Sequence, residues 1–366
     1  MHHIGIDARL TYYRQGGIST YIRRLVRALE QQDKTNHYTV FHSRKDDDSL
    51  VRHFNRANLW TPCHHRIERM ALSVELARHN LDLLHSPDFI PPWRGARHHL
   101  ITIHDLNFLY YPEFLTHESR RYYNQQIDYA VRHADHILAD SEATRQDLMN
   151  MLHVPPGKIT VHLLGVDESF QPQPDEICQQ VRQELDLPPT YILYVGTFEP
   201  RKNIGGLIEA YHHLLRNLPD APPVVLAGRR GWLFDETMAK INSMNLSHRI
   251  LWRENIPQSV MPALYSMASM LVLPSFYEGF GFPALEAMAC GTIPIVSNRA
   301  SLPEVVGEVG LRVEPDDTAA LADAMQHALT MPEWRAQMQQ AGRERAATFT
   351  WEQTARTTLA IYNTLL

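Results

Sequence analysis

Short apolar runs alternate with amphipathic segments along the whole chain. From the N-terminus they read "HIGI", "ISTYIRRLVRALEQ", "YTVF", "LDLLH", "HLITIH", "ESRRYYNQQIDYAVRHA", "HILA", "EATRQDLMNMLH" and "ITVHLL". Brief continuous apolar runs suit strands buried on both faces, and the longer segments between them suit helices with one apolar face. Strand, helix, strand, helix calls for a parallel sheet covered on both sides, so the first half predicts a doubly wound α/β domain. After "GVDESFQPQPDE" the rhythm restarts with "YILYVG", "IGGLIEAYHHLLRN", "PVVLAG", "RILW", "SMLVLP", "FPALEAMAC" and "TIPIVS". A second α/β domain is therefore expected. Residues 171–189, with Pro172, Pro174, Pro188 and Pro189 around a short polar helix, form the expected linker.

Polar or glycine residues fall where the strands should end. They are Asp7, His85, His104, Asp140 and Ser141 in the first half, and Gly196, Gly228, Pro274 and Ser297 in the second. In open α/β sheets ligands bind outside the carboxyl ends of the strands, so two such edges facing each other predict an interdomain cleft.

The 366-residue length exceeds what one core organises, in keeping with two domains. A net charge of −6 gives no broad positive field, and nucleic acid is not an expected partner. Cys63, Cys178 and Cys290 are too few and too scattered for a disulfide framework or a zinc site, which fits a reducing cytoplasm. "MHHIGIDARLTYY" lacks the cationic and apolar regions of a secretory signal, and no apolar run approaches the ~20 residues of a membrane span. Cytoplasmic residence is expected, with any membrane contact peripheral.

The densest chemistry lies in "SFYEGFGFPALEAMACG", residues 275–291. "GFGFPA" fits the spacing of a dinucleotide loop, but it comes late, "SFYE" separates it from the preceding strand, and the nearest acid at the ribose distance is Glu304 in a loop of its own. The physical content stands without that fingerprint: Gly279 and Gly281 allow close backbone approach, and a helix starting near Pro283 turns its positive end toward an anion. Glu278 and Glu286 frame the loop and are placed to accept hydrogen bonds from sugar hydroxyls on either side of a diphosphate. In "YVGTFEPRKN", Arg201 and Lys202 precede a helix and offer cations to phosphate oxygens; a solvated surface pair is the alternative.

Taken together these segments resemble the retaining glycosyltransferases of family 4. The resemblance covers essentially the whole chain and rests on "EGFGFPALE" at 278–286, the preceding "VLPSFYEGFG", "GTFEPRKN" and "TIHDLNFLYYPE" at 102–113. It implies the GT-B fold, two facing Rossmann-like domains: 1–172 with 351–366 for the acceptor, and 173–350 for the nucleotide-sugar donor, the last helix crossing back to the first domain. It also implies that Glu278 contacts the transferred sugar, that Glu286 holds the ribose, that Gly279, Phe280 and Gly281 meet the diphosphate or sugar, and that Lys202 binds the diphosphate. Gly196 and Thr197 belong to the same donor loop. Thr197 stands where many members carry an arginine, and Arg201 is the candidate replacement for that charge.

The resemblance places His104 at the reaction centre beside the sugar, with Asp105 orienting it or touching the acceptor; His85 in "LDLLHSPDF", a similar strand-end residue, is a second acceptor candidate. It places the loop of Gly16 and Gly17, in "QGGIS", near the donor phosphate and the acceptor; simple turn glycines are an equal alternative. Arg23, Arg24 and Arg27, together with the aromatic stretch carrying Arg120 and Arg121, suit a membrane headgroup zone; solvated helix faces are an equal alternative. "KDDDS" at 45–49 contains the Asp-x-Asp of metal-dependent transferases but reads as a charged turn, and the histidine pairs lack metal-site spacing, so neither a metal nor any other cofactor is expected. "VGTFEPRKN" looks most like the mannosyl-transferring branch, favouring GDP-mannose over UDP- or dTDP-sugars and a glycan or lipid-linked acceptor. A nicotinamide dehydrogenase and a non-catalytic carbohydrate-binding protein are the competing classes.

Overall fold

The computed structural model describes residues 1–13, 16–114 and 117–366. The chain forms two units, Met1–Gly165 with Thr350–Leu366, and Val166–Phe349. Among the described residues the first unit has a seven-stranded parallel sheet: β1 (His3–Asp7), β2 (His37–Ser43), β3 (Asn55–Leu59), β4 (Leu81–Ser86), β5 (Ala96–Ile103), β6 (His136–Ala139) and β7 (Ile159–Val161). Their order is β3-β2-β1-β4-β5-β6-β7.

The central strands are apolar on both faces because helices cover both, the condition for a parallel sheet. Helix Gly17–Gln32 turns Tyr21, Ile22, Leu25, Val26 and Leu29 inward. The C-terminal helix Trp351–Leu365 packs against it and belongs to this first unit. Thr350 caps that helix by accepting the amide of Gln353, and Thr354, Ala355, Thr358 and Tyr362 form its buried face.

The second unit contains β8 (Tyr191–Val195), β9 (Val224–Ala227), β10 (Ile250–Arg253), β11 (Ala268–Leu273), β12 (Pro294–Ser297) and β13 (Leu311–Val313), in the order β10-β9-β8-β11-β12-β13. The proline-rich start of the expected linker packs within this unit: the Gln173 amide donates to Ser266 Oγ, and Phe170 meets the Tyr265 ring. The boundary therefore precedes Pro172, at Gly165 and Val166.

In each sheet the strand order reverses beside the unit's first strand, between β1 and β4 and between β8 and β11. Such a switch point leaves a crevice at the carboxyl ends of the strands. The loops after β8 and β9 are pressed together there. A Cβ on Gly228 would lie 1.8 Å from the Gly196 carbonyl oxygen, so only glycine fits. Among the described residues no helix is long and apolar enough to cross a membrane.

Candidate active site

The switch point of the second unit gathers the two loops singled out by their sequence. After β8 the chain makes a turn at Pro200–Lys202 and enters helix Ile204–Asn217. Asn203 fixes that turn: its Oδ1 accepts the Gly206 amide, and its Nδ2 donates to the carbonyls of Pro274 and Pro315. After β11, Gly281 adopts a φ of 104°, and helix Phe282–Ala289 begins with Pro283 in its first turn. Glycine tolerates that left-handed backbone, and proline suits a helix start where no amide donor is needed. Ser301 Oγ donates to the carbonyls of Glu278 and Phe280, both at 2.8 Å, and holds the intervening loop.

Glu278, Arg201 and Lys202 meet. Lys202 Nζ lies 2.5 Å from Glu278 Oε1, Arg201 Nη1 lies 3.0 Å from Glu278 Oε2, and Ser275 Oγ donates to Oε1 at 2.8 Å. Arg201 also donates to the Tyr277 carbonyl and to Glu199. The cluster is sequestered, with Glu278 7% and Lys202 8% exposed. Burial alone would raise the Glu278 pKa, but Lys202 and Arg201 more than reverse this and hold it at about 2. Lys202 is itself held below the ordinary lysine range, because burial outweighs the attraction of Glu278.

Glu286, half-buried on the helix that follows, behaves in the opposite way. Burial raises its pKa to about 7, only partly offset by the Tyr265 hydroxyl, which donates to Oε2 at 2.7 Å. Two glutamates framing one glycine loop thus differ in charge state near neutrality. Gly196 and Thr197 open the turn after β8, where the Thr197 carbonyl accepts the Glu199 amide.

In the first unit, His104 directly follows β5, with both ring nitrogens engaged. Nδ1 lies 2.6 Å from Asp140 Oδ2, and Nε2 lies 2.9 Å from the Pro87 carbonyl. Both partners accept, so both nitrogens donate and the ring is an imidazolium. Burial opposes that charge, but Asp140 overrides it and raises the pKa to about 9. His162 Nε2 approaches the other Asp140 oxygen at 3.3 Å.

The residue that orients His104 is therefore Asp140, not Asp105. Asp105 Oδ1 instead accepts the Asn107 amide and steadies the next turn. His85 does not face an acceptor: it is 0% exposed, its nitrogens bonded to Thr102 Oγ1 and the Tyr362 hydroxyl beneath the C-terminal helix. Gly17 is exposed at the first position of its helix, while the preceding Arg14 and Gln15 lie outside the described residues, as do Leu115 and Thr116 of the aromatic stretch.

Residues 15–170 match the domain described as Glycosyltransferase Family 4, and residues 179–345 match Glycosyl transferases group 1. The O-antigen chain mannosyltransferase B of Escherichia coli is 30% identical over 95% of this chain and 96% of its own length. The chain belongs to glycosyltransferase family 4. Among solved structures, the sucrose-phosphate synthase of Thermosynechococcus elongatus superposes with a TM-score of 0.79 at 24% identity, covering 100% of this chain and 99% of the other. Anabaena HepE, solved with UDP and glucose, gives 0.79 at 16% identity and covers 100% of both chains. These likenesses establish the GT-B fold of this family 4 enzyme.

Within the glycosyltransferase the "GFGFPA" loop follows β11, the fourth strand of its unit, whereas a dinucleotide fingerprint occupies the turn after the first. Sequence reasoning missed Ser275, Ser301, Tyr265 and His162, and noted Asp140 only as a polar strand end. Asp140 carried a signal as the polar end of "HILAD"; the others became meaningful only through their partners.

Proposed function

We propose that this glycosyltransferase moves a mannosyl group from GDP-mannose to a hydroxyl of a glycan or lipid-linked acceptor in polysaccharide biosynthesis, with retention of configuration and without a metal ion. The carrying observation is the buried Glu278–Arg201–Lys202 cluster at the switch point of the second unit, beside the amino end of helix Phe282–Ala289. Similarity to an O-antigen mannosyltransferase over nearly the full length favours the mannosyl donor.

The chemical difficulty is charge separation, since the diphosphate gains negative charge as the anomeric carbon loses it. Arg201, Lys202 and the helix end supply positive potential already in place, so little reorganisation is needed as the bond breaks. In the free chain Glu278 pairs with both cations, and Glu199 adds a second carboxylate beside Arg201. The entering diphosphate would take over that attraction and release the Glu278 carboxylate toward the sugar hydroxyls. Glu286, when ionised, would accept from the ribose. The bond between the anomeric carbon and the diphosphate oxygen breaks, the acceptor oxygen bonds to the same face, and its proton passes to the departing phosphate oxygen. His104 is assigned to the sugar as a fixed cation.

A thermal-shift panel of GDP-, UDP- and dTDP-sugars with NAD tests the donor. Ligand at ~100 times its dissociation constant stabilises by about 2.7 kcal/mol, a readily measured shift. Stabilisation by GDP-mannose is expected; stabilisation by NAD alone would overturn the reading.

A further inference from the structure

His104, Asp140 and His162 are the residues that directly follow β5, β6 and β7, three strands side by side in the first sheet. Ile103 pairs with Ala139 and Ala139 with Val161, so the parallel register brings the three following residues into one row. The His162 amide donates to the Ala139 carbonyl at 3.0 Å and carries that register past the end of β7. Matched positions on neighbouring parallel strands turn their side chains to the same face. The row therefore runs inward from His104, which is partly exposed, through Asp140 at 3% to His162 at 1% exposure.

The C-terminal helix closes the inner end of this row. Thr358 lies on its buried face, and the Thr358 hydroxyl donates to the Thr354 carbonyl at 2.9 Å. Its one hydrogen is thus used, so toward His162 Nδ1, 3.3 Å away, Thr358 accepts. That puts a hydrogen on Nδ1 and turns Nε2 toward Asp140 Oδ1 at 3.3 Å. Neither Nε2 nor Oδ1 has a hydrogen-bond partner elsewhere among the described residues. Buried polar groups are normally paired, so the two are left to each other, and because a carboxylate only accepts, Nε2 carries a hydrogen as well.

The second contact changes what Asp140 can do. A carboxylate held at one oxygen can still turn about its last side-chain bond, a torsion with broad minima. Oδ2 holds His104 Nδ1 at 2.6 Å, and His162 on Oδ1 fixes the plane of the group and with it the His104 ring. The Tyr21 ring packs edge-on against both histidines, at 5.0 and 5.5 Å between centroids. Burial alone would raise the Asp140 pKa, and His104 and then His162 reverse this. The other titratable groups facing the row are bonded elsewhere: Asp88 to His64, His85 to Thr102 and Tyr362, and Tyr21 to Thr102.

We infer that His162 is a positioning residue for the transfer: tethered to Thr358, it locks Asp140 in the orientation that holds His104 toward the sugar. The inference rests on the assignment of His104 to the reacting sugar and adds the residue that acts behind it. Two measurements on the full chain test it. Proton NMR of the unliganded protein follows exchange of the His104 Hδ1 hydrogen with water, and release of GDP from GDP-mannose, with methyl α-mannoside as acceptor, follows the transfer. His162→Phe fills the site without a donor, His162→Gln returns one donor to Asp140, and Thr358→Val keeps His162 but removes its acceptor.

In His162→Phe the Hδ1 hydrogen should exchange at least about tenfold faster and kcat should fall about tenfold, the scale of one hydrogen bond to a charged group, with the KM for GDP-mannose unchanged. His162→Gln should recover most of both, and Thr358→Val should move both in the same direction as His162→Phe. A merely structural histidine would lower the melting temperature of His162→Phe and leave Hδ1 exchange and kcat at wild-type values. That result, a raised KM in place of a lowered kcat, or no recovery in His162→Gln would overturn the inference. Thr358→Val, close to isosteric, decides the matter if His162→Phe does not fold, and wild-type exchange in it would overturn the inference equally. Absence of turnover in the wild type would sink the mannosyl-donor reading by itself, with Hδ1 exchange still deciding whether His162 fixes His104.

Discussion

Replacing Glu278 by Gln removes one negative charge and leaves Lys202 and Arg201 facing an uncharged amide in a buried setting. Depression of the Glu278 pKa from 4.5 to about 2 corresponds to about 3 kcal/mol at ~1.36 kcal/mol per unit. Removing one partner of a buried ion pair costs about 3–5 kcal/mol in general. The lower end applies, because burial leaves Lys202 below its ordinary range and the pairing is only partly favourable from its side. The urea midpoint of Glu278→Gln should thus fall by the equivalent of about 3 kcal/mol at neutral pH. For a carboxylate with a depressed folded-state pKa, this advantage is fully present above pH 4.5 and is lost as pH falls through about 2. The gap between wild type and variant should be constant from pH 8 to 5 and narrow below 4.5. Turnover should drop about 10² to 10³-fold, the scale of one lost transition-state contact. GDP affinity should hold or improve, because the two cations are released. A variant as stable as the wild type at pH 7, or one losing GDP affinity in parallel with turnover, would refute this reasoning.

Further outcomes follow from the other groups. Glu286 titrates at about 7, so the donor KM should rise as pH falls below 7, and Tyr265→Phe, which removes a hydrogen bond that lowers this pKa, should move the inflection upward; a flat KM from pH 5.5 to 8.5 would contradict the ribose role. The same raised pKa favours the folded state below pH 4.5, and that contribution disappears as pH rises through 7. Asp140→Asn should bring the His104 titration down from about 9, as read by imidazole nitrogen shifts in NMR. Because the folded-state value is raised, the stability this pair contributes is present below pH 6.5 and is lost as pH rises through about 9. Deleting Thr350–Leu366 should unfold the first unit and leave the second protected in limited proteolysis, since Thr354, Thr358 and Tyr362 are buried in the first unit alone.

The doubly wound layout was legible because continuous apolar runs and amphipathic segments alternate at the lengths a covered parallel sheet requires. The turn into helix Phe282–Ala289 was equally legible, since Gly281 and Pro283 have local conformational meaning. Partnerships were not. Lys202 and Glu278 meet across 76 residues, through the pairing of β8 with β11, and no local pattern encodes that contact. His104 invited pairing with its neighbour Asp105, yet β5 and β6 lie side by side and bring Asp140 to its ring. His85 was singled out as a polar strand end, but alternation along β4 turns it beneath the C-terminal helix, onto the Tyr362 hydroxyl. The prolines near position 172 read as a boundary, while the chain had already packed onto the second unit through Phe170 and Gln173.

The central claim is that this family 4 enzyme transfers mannose from GDP-mannose with retention. Proton NMR of a reaction containing GDP-mannose, methyl α-mannoside and a chelator observes the anomeric centre of the product during the first turnovers. An α-linked disaccharide is expected, formed at a rate the chelator does not change. A β-linked product, or transfer abolished by the chelator, would contradict it.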